Sequence, residues 1–261
     1  MVEKMILGDF TGLGKNYADN RPDYSKSILN AILGLFEIET KNLKVADVGA
    51  GTGIWTRMVA EKNVQEIFAV EPNADMRSNA ITEATLSKTT WTGGTAENTG
   101  LQSSSIDWVT MASSFHWANF DLATKEFHRI LSPGGFFTAL WNPRLIEVNP
   151  LLVEIEEYAK SLSMNASRVS SGMSGITKTL TQDLRSSKYF DDVVYMEATH
   201  IINMTPERYV GAWKSVNDLQ VKIGNEKFSE FIEYVSDKVV KLKHIECTYL
   251  TRAWTAQKIG S

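Results

Sequence analysis

Apolar and polar positions follow two different periods along the first 142 residues, and the switches between them divide the chain into strands and helices. Over residues 26–36 the apolar side chains Ile28, Leu29, Ile32, Leu33 and Phe36 recur at the spacing of one helix face. Residues 43–48 form a short apolar run of strand length, closed by glycines at 49, 51 and 53. A helix is predicted over 54–62 and a second strand over 67–70. The order continues with a helix over 74–85, a short strand at 90–92, a strand at 106–111, a helix at 122–131 and a strand at 136–141. Ser132-Pro133-Gly134-Gly135 punctuates the last helix and strand. Strands joined through crossover helices run parallel.

After Trp141 the alternation stops. Helices are predicted over 150–162 and 177–189, a Ser/Gly-rich mobile loop over 168–175, and two late strands at 193–202 and 247–255 around a helical region at 206–243. The expected fold is a doubly wound, Rossmann-like α/β architecture: a mostly parallel seven-stranded sheet with a helical cap. The whole chain, 1–261, reads as one domain. Its ligand-binding core is 1–142, its cap insertions are 143–190 and 203–245, and its closing strands are 191–202 and 246–258.

Composition narrows the classes. With 43% hydrophobic residues the 261-residue chain has material for a large core. The formal charge of −4 offers no bulk attraction to nucleic acid, which is not an expected partner. No apolar run approaches the roughly 20 residues of a bilayer span, so no membrane insertion is expected. One cysteine, Cys247, and a start without a secretory apolar stretch predict a cytoplasmic, soluble protein. The histidines His116, His128, His200 and His244 show no metal-ligand spacing to one another, and no metal is expected.

The chemistry concentrates at Asp47-Val48-Gly49-Ala50-Gly51-Thr52-Gly53 and at Val70-Glu71-Pro72-Asn73. Gly49 and Gly51 let a ligand lie against backbone where the turn meets a helix N-terminus with free N–H groups. Glu71 ends the next strand, 20 residues beyond Gly51 (71 − 51), where a carboxylate accepts the hydroxyls of an adenosine ribose. A dinucleotide fingerprint places its third glycine where Ile54 stands, so the turn fits a pyrophosphate poorly.

The chain resembles the class I S-adenosylmethionine-dependent methyltransferases, in particular the small-molecule group of methyltransferase type 11 that includes trans-aconitate methyltransferase. Besides the two segments above, Gly94-Thr95-Ala96-Glu97, Ser114-Phe115-His116-Trp117 and Arg129-Ile130-Leu131-Ser132-Pro133-Gly134-Gly135 recur in that group's order over residues 15–142. The resemblance implies S-adenosylmethionine as cofactor. The turn, with Asp47, Gly49, Ala50 and Gly51, would face its methionine part, Glu71 with Pro72 its ribose, and Met76, Ala96 and Glu97 its adenine. Ser113 would lie near the methionine moiety. Tyr17 and Arg21, in a segment similar to the group's Y-x-x-x-R-P-x-Y pattern, would close over it.

Methyl transfer from a sulfonium asks the protein for alignment, water exclusion and, for a poorly acidic hydroxyl, a base. His116, just beyond a strand's C-terminal end, is the base candidate, with a pocket wall as the competing role. Trp117, Trp141, Arg144 and, in the cap, Trp213 are candidate contacts of a small-molecule acceptor. The expected reaction is methylation of an oxygen, carboxylate or hydroxyl. A nicotinamide-dependent oxidoreductase on a similar sheet and a non-enzymatic cofactor-binding regulator remain open alternatives.

Overall fold

The structure, a computed structural model, describes residues 12, 14–80, 87–162, 172 and 175–260. The end of the helix expected over 74–85 and most of the loop expected over 168–175 lie outside the described residues.

Seven strands form one sheet in the order β3-β2-β1-β4-β5-β7-β6. They are β1 Lys44–Val48, β2 Glu66–Val70, β3 Thr89–Thr92, β4 Ile106–Ala112, β5 Leu131–Trp141, β6 Phe190–Met204 and β7 Ile245–Lys258. The first five pair in parallel, β7 runs antiparallel to β5, and β6 runs antiparallel to β7. The expected mostly parallel seven-stranded sheet is therefore present, with its two late strands added on the β5 side. β1 lies between β2 and β4, so the chain reverses its direction of travel across the sheet there and leaves a crevice at the strands' C-terminal ends.

Both faces of the parallel strands are covered, which is why β1 reads as a nearly continuous apolar run. On one face α2 (Lys26–Leu33) and α3 (Ile54–Ala60) bury Ile32, Trp55 and Val59 against Val45 and Trp108. On the other, α5 (Phe120–Ile130) and α7 (Leu180–Arg185) bury Phe127 and Leu184 against Val109 and Phe137. Each such side chain contributes about 1.5–3 kcal/mol by leaving water. A third core belongs to the cap, where α6 (Pro150–Ser161), α8 (Pro206–Lys214) and α9 (Asn217–Val239) enclose Leu152, Trp213, Phe231 and Val235. The single helical region expected over 206–243 is thus two helices, and α9 is itself kinked at Gly224, whose φ is 78°.

Strand ends differ from expectation for a pairing reason. Leu131 already pairs with Ile106, and the register then shifts before Trp108 meets Phe136, so β5 begins five residues earlier than its apolar run. β6 and β7 extend each other in the same way, pairing from Phe190↔Lys258 to Met204↔Ile245.

Helix α1 (Gly14–Asn20) roofs the crevice and is fastened at both ends. Asp75 on α4 (Ala74–Ser78) accepts the Gly12 and Gly14 N–H groups at 3.0 and 3.3 Å. At the other end Asn20 rests on Gly211 of α8, where an added Cβ would come within 2.4 Å of it. Arg21 donates through Nε to Ser215 Oγ at 2.7 Å and to the Ser215 carbonyl at 3.2 Å. Among the described residues no helix is long and apolar enough to cross a membrane.

Candidate functional site

The strand ends enclose two connected chambers. The larger, about 330 Å³, runs from the glycine turn past Glu71 and Met76 to the Thr95–Glu97 segment and Trp117. The smaller, about 80 Å³, lies between the turn and Arg21, Tyr24, Asn142 and Tyr249.

Their shared wall begins with the turn. Gly49, Gly51 and Gly53 all have positive φ, at 68°, 58° and 84°, which an L side chain would strain. At Gly49 an added Cβ would also meet Ser114 Oγ at 2.6 Å. The Gly49 and Ala50 N–H groups return to the Val70 carbonyl, which locks the turn onto the end of β2. Asp47 sits beneath the turn rather than in either chamber. It is buried and accepts the Thr56 and Thr110 hydroxyls at 2.6 and 3.1 Å. Burial pushes its carboxyl up to about 7, against the pull of those hydroxyls. Its role in this geometry is to brace α3 against β1 and β4, not to touch a ligand.

Glu71 carries the larger chamber's electrostatics. One carboxylate oxygen accepts the Gly51 N–H at 2.9 Å and the other accepts the Asn73 N–H at 2.9 Å. Each oxygen keeps a second lone pair. Burial raises the Glu71 carboxyl, while the Asn73 and Gly51 N–H groups and Arg77 oppose the rise. Glu97, also on the wall, accepts the Asn119 N–H at the N-cap of α5.

The structure brings together Tyr17, Gly49, Gly51, Glu71, Pro72, Met76, Ala96, Glu97, Ser113 and Trp117 around the larger chamber, and Tyr17, Arg21, Ala50 and Ser113 around the smaller. It separates the remaining candidates. Arg144 is drawn into the cap: it donates to Glu156 at 2.9 Å and lies 4.4 Å over the Trp213 ring. Burial works against its charge, and Glu156, Tyr209 and Tyr249 more than offset that, so it stays a cation. Trp213 is 1% exposed and packs edge-on against Phe231. These two expected acceptor contacts are interior groups, because a buried guanidinium takes the nearest carboxylate and aromatic face.

His116 shows a polarity opposite to a general base. The Trp141 indole N–H, which can only donate, points at His116 Nδ1 at 3.2 Å. The proton therefore sits on Nε2, which is buried with no partner among the described residues. Burial lowers the ring to about 4, so it is neutral above that pH. It offers a donor, and its lone pair is occupied. Trp141 is thereby committed to orienting His116 and packing on Trp254. His200 is the converse case: its Nε2 donates to the Asp23 carbonyl at 3.0 Å, leaving Nδ1 as the acceptor.

Sequence reasoning did not single out Tyr24, Asn142 or Tyr249 as site residues. Tyr24 was within reach, as the last position of the Tyr17–Tyr24 segment. Tyr249 carries no motif, and the register of β7 alone brings it to the chamber.

Residues 46–139 match a family model described as a methyltransferase domain. Over that segment, which includes the glycine turn and Glu71, the chain is similar to the methyltransferases. A methyltransferase-like protein of Schizosaccharomyces pombe, itself uncharacterized, is 30% identical to this chain over 144 residues, 55% of each. The chain spans about half the length of the first such relatives it matches. Among solved structures, a candidate type II methyltransferase from Anaeromyxobacter dehalogenans is similar over 91% of this chain and 97% of its own, with a TM-score of 0.66 at 18% identity. Phosphoethanolamine N-methyltransferase 2 of Haemonchus contortus, solved with S-adenosyl-L-methionine, matches 96% of this chain and 57% of its own, with a TM-score of 0.52 at 15% identity. At those identities the likeness concerns the fold.

Proposed function

We propose that this chain binds S-adenosylmethionine across the two chambers and directs its methyl group to an oxygen of a small-molecule acceptor. The observation that carries the reading is the Glu71 carboxylate, pinned by the Gly51 and Asn73 N–H groups with one lone pair per oxygen left for a vicinal diol. The donor set fits the rest of the cofactor. Met76 and Ala96 supply an apolar bed for a base, Glu97 a polar rim, and the Arg21 guanidinium a place for a carboxylate. Thr52 Oγ1, on the smaller chamber, is buried with no partner among the described residues, a hydroxyl available to a polar ligand.

When bound, S-adenosylmethionine supplies an electrophilic methyl whose transfer leaves S-adenosylhomocysteine. The chain's part is alignment and exclusion of water: Tyr17 and Arg21 close the roof, and the turn fixes the floor. No histidine is among the described residues that line either chamber, and His116, outside both linings, spends its lone pair on Trp141. That favours an acceptor already ionised at neutral pH, a carboxylate, over a hydroxyl that must first lose a proton.

The test is calorimetry with S-adenosylmethionine and with NAD, followed by S-adenosylhomocysteine release across a panel of small carboxylic acids and alcohols. S-adenosylmethionine binding with turnover on acids is expected. Binding of NAD alone would sink the cofactor assignment, and turnover on alcohols only would sink the carboxylate preference.

A further inference from the structure

The sheet ends in two unlike edges. At one end β3 is only four residues long, and so short an edge offers little template for pairing. At the other end β6 runs for 15 residues. Its inner side pairs with β7 along its length, and among the described residues no strand pairs with its outer side. From Val194 to Met204 the strand lacks the usual devices that blunt such an edge. It has no proline, lysine or arginine there, and its one register shift, between Asp191 and Val194, lies before this stretch.

Side chains alternate along this edge. Met196 and Ala198 pack on the core that holds Ile32 and Ala253, and Ile202 packs on the cap core. The other face carries Tyr195, Glu197, Thr199, Ile201 and Asn203, all exposed. Tyr195 and Ile201 are its large apolar groups, 40% and 59% exposed. Tyr195 is already held in place. Its ring lies 4.8 Å from that of Trp254, Arg252 Nε donates to its oxygen at 2.8 Å, and its hydroxyl donates to Glu197. A fixed apolar group on an unpaired edge loses little freedom when a partner covers it.

We propose that the outer edge of β6 receives the β6 of a second copy of this chain, antiparallel, about a two-fold axis at Ala198. Three constraints lead to that axis. In-register parallel pairing sets Asp191, Asp192 and Glu197 against their own counterparts, whereas antiparallel pairing sends the two aspartates to opposite ends of the seam. Outward-facing amides recur at every second residue, so an antiparallel two-fold passes through a residue and not between two. An axis at Glu197 opposes two carboxylates, and an axis at Thr199 sets Tyr195 against Asn203. At Ala198 each Tyr195 meets the second copy's Ile201 on the exposed face, and each Glu197 meets the second copy's Thr199. The two seven-stranded sheets then continue as one, and the unpaired amides between 194 and 202 gain partners. The inference concerns the sheet edge and stands apart from the cofactor reading.

Sedimentation velocity over a concentration series, together with cysteine crosslinking, tests this. The wild-type chain should sediment with the mass of two copies. Ala198→Cys puts a thiol on the axis, where opposed Cα atoms lie about 4.5–5.5 Å apart, within disulfide reach, and mild oxidation should give a covalent dimer. Thr199→Cys faces Glu197 of the second copy, with its own counterpart on the diagonal at about 7–8 Å, and should crosslink far less. Cys247 is buried and does not compete. Ile201→Lys, at an exposed position, should weaken the dimer about tenfold or more, the scale of one cross-strand pair lost twice by symmetry. Adding Tyr195→Glu to Ile201→Lys opposes unlike charges twice across the axis and should recover the dimer, which misfolding would not do. A wild-type chain that stays monomeric throughout the series would overturn the proposal. So would a dimer indifferent to Ile201→Lys, or Thr199→Cys crosslinking as readily as Ala198→Cys.

Discussion

The glycine-turn wall and the helical cap both hold buried charge, and they hold it in opposite ways. At the turn, Glu71 is fixed by two backbone N–H groups and keeps valence facing a cavity. In the cap, Arg144 is consumed by Glu156 and by the face of Trp213, with side-chain exposures of 15% and 6% across the ion pair. One charge is presented to a ligand and the other is presented to the protein. A charged residue type marks a binding site only where its bonding is unfinished.

Arg144→Ala should break the cap side of this comparison most severely. It strands the Glu156 carboxylate in the interior, a change that costs about 3–5 kcal/mol, and urea denaturation reads it as a lowered midpoint. The folded variant should still bind S-adenosylmethionine with nearly wild-type affinity. Glu71→Ala should give the reverse result. Losing two charge-assisted bonds lowers affinity by roughly 100-fold, from about 1.5 kcal/mol or more per bond, with a smaller change in the urea midpoint. If both variants lost stability and binding together, the two walls would be one unit and the contrast would fail.

Asp47 sharpens the comparison as a third kind of buried charge, neither paired with a cation nor offered to a ligand. Burial raises its folded-state carboxyl from 3.8 to about 7, so the folded chain binds the proton more tightly than the unfolded chain does. Stability from this group is full below about pH 4 and is lost as pH rises towards 7, where ionisation opposes folding. Asp47→Asn should flatten that slope in urea midpoints measured from pH 4 to pH 7, and an unchanged slope would assign the pH dependence elsewhere. The smallest effect is spectroscopic. Long-range proton–nitrogen NMR should show His116 as the Nε2–H tautomer with no titration above about pH 5, since burial holds the ring near 4. Trp141→Phe should release Nδ1 and shift its resonance, and a ring that titrates near 6.5 in the wild type would restore it as a base candidate.

The parallel half of the fold was legible because it is built from local signals: apolar runs of strand length, a turn that only glycines satisfy, and helices of clear period. Glu71 was legible for a related reason, since its distance from Gly51 is set by one helix and one strand. The cap resisted the same reading. Arg144 and Trp213 have the chemistry of ligand contacts, but which groups they meet depends on α6 and α8 packing over β7, and no local pattern encodes that. Tyr249 reaches the chamber through long-range antiparallel register, where its neighbours in sequence say only which face it shares. His116 was correctly placed at a strand end; its polarity depends on Trp141, 25 residues away on the next strand.

The double fastening of α1 makes its two ends unequal. A roof hinged at one edge swings open, but this one is tied to α4 by two backbone bonds onto Asp75 and to α8 by Arg21 and the seat of Asn20 on Gly211. The Gly12 tie is open to solvent, whereas the Ser215 tie is half-buried. The seam that water competes for is therefore the outer bond onto Asp75, and the cap edge is the better sheltered of the two.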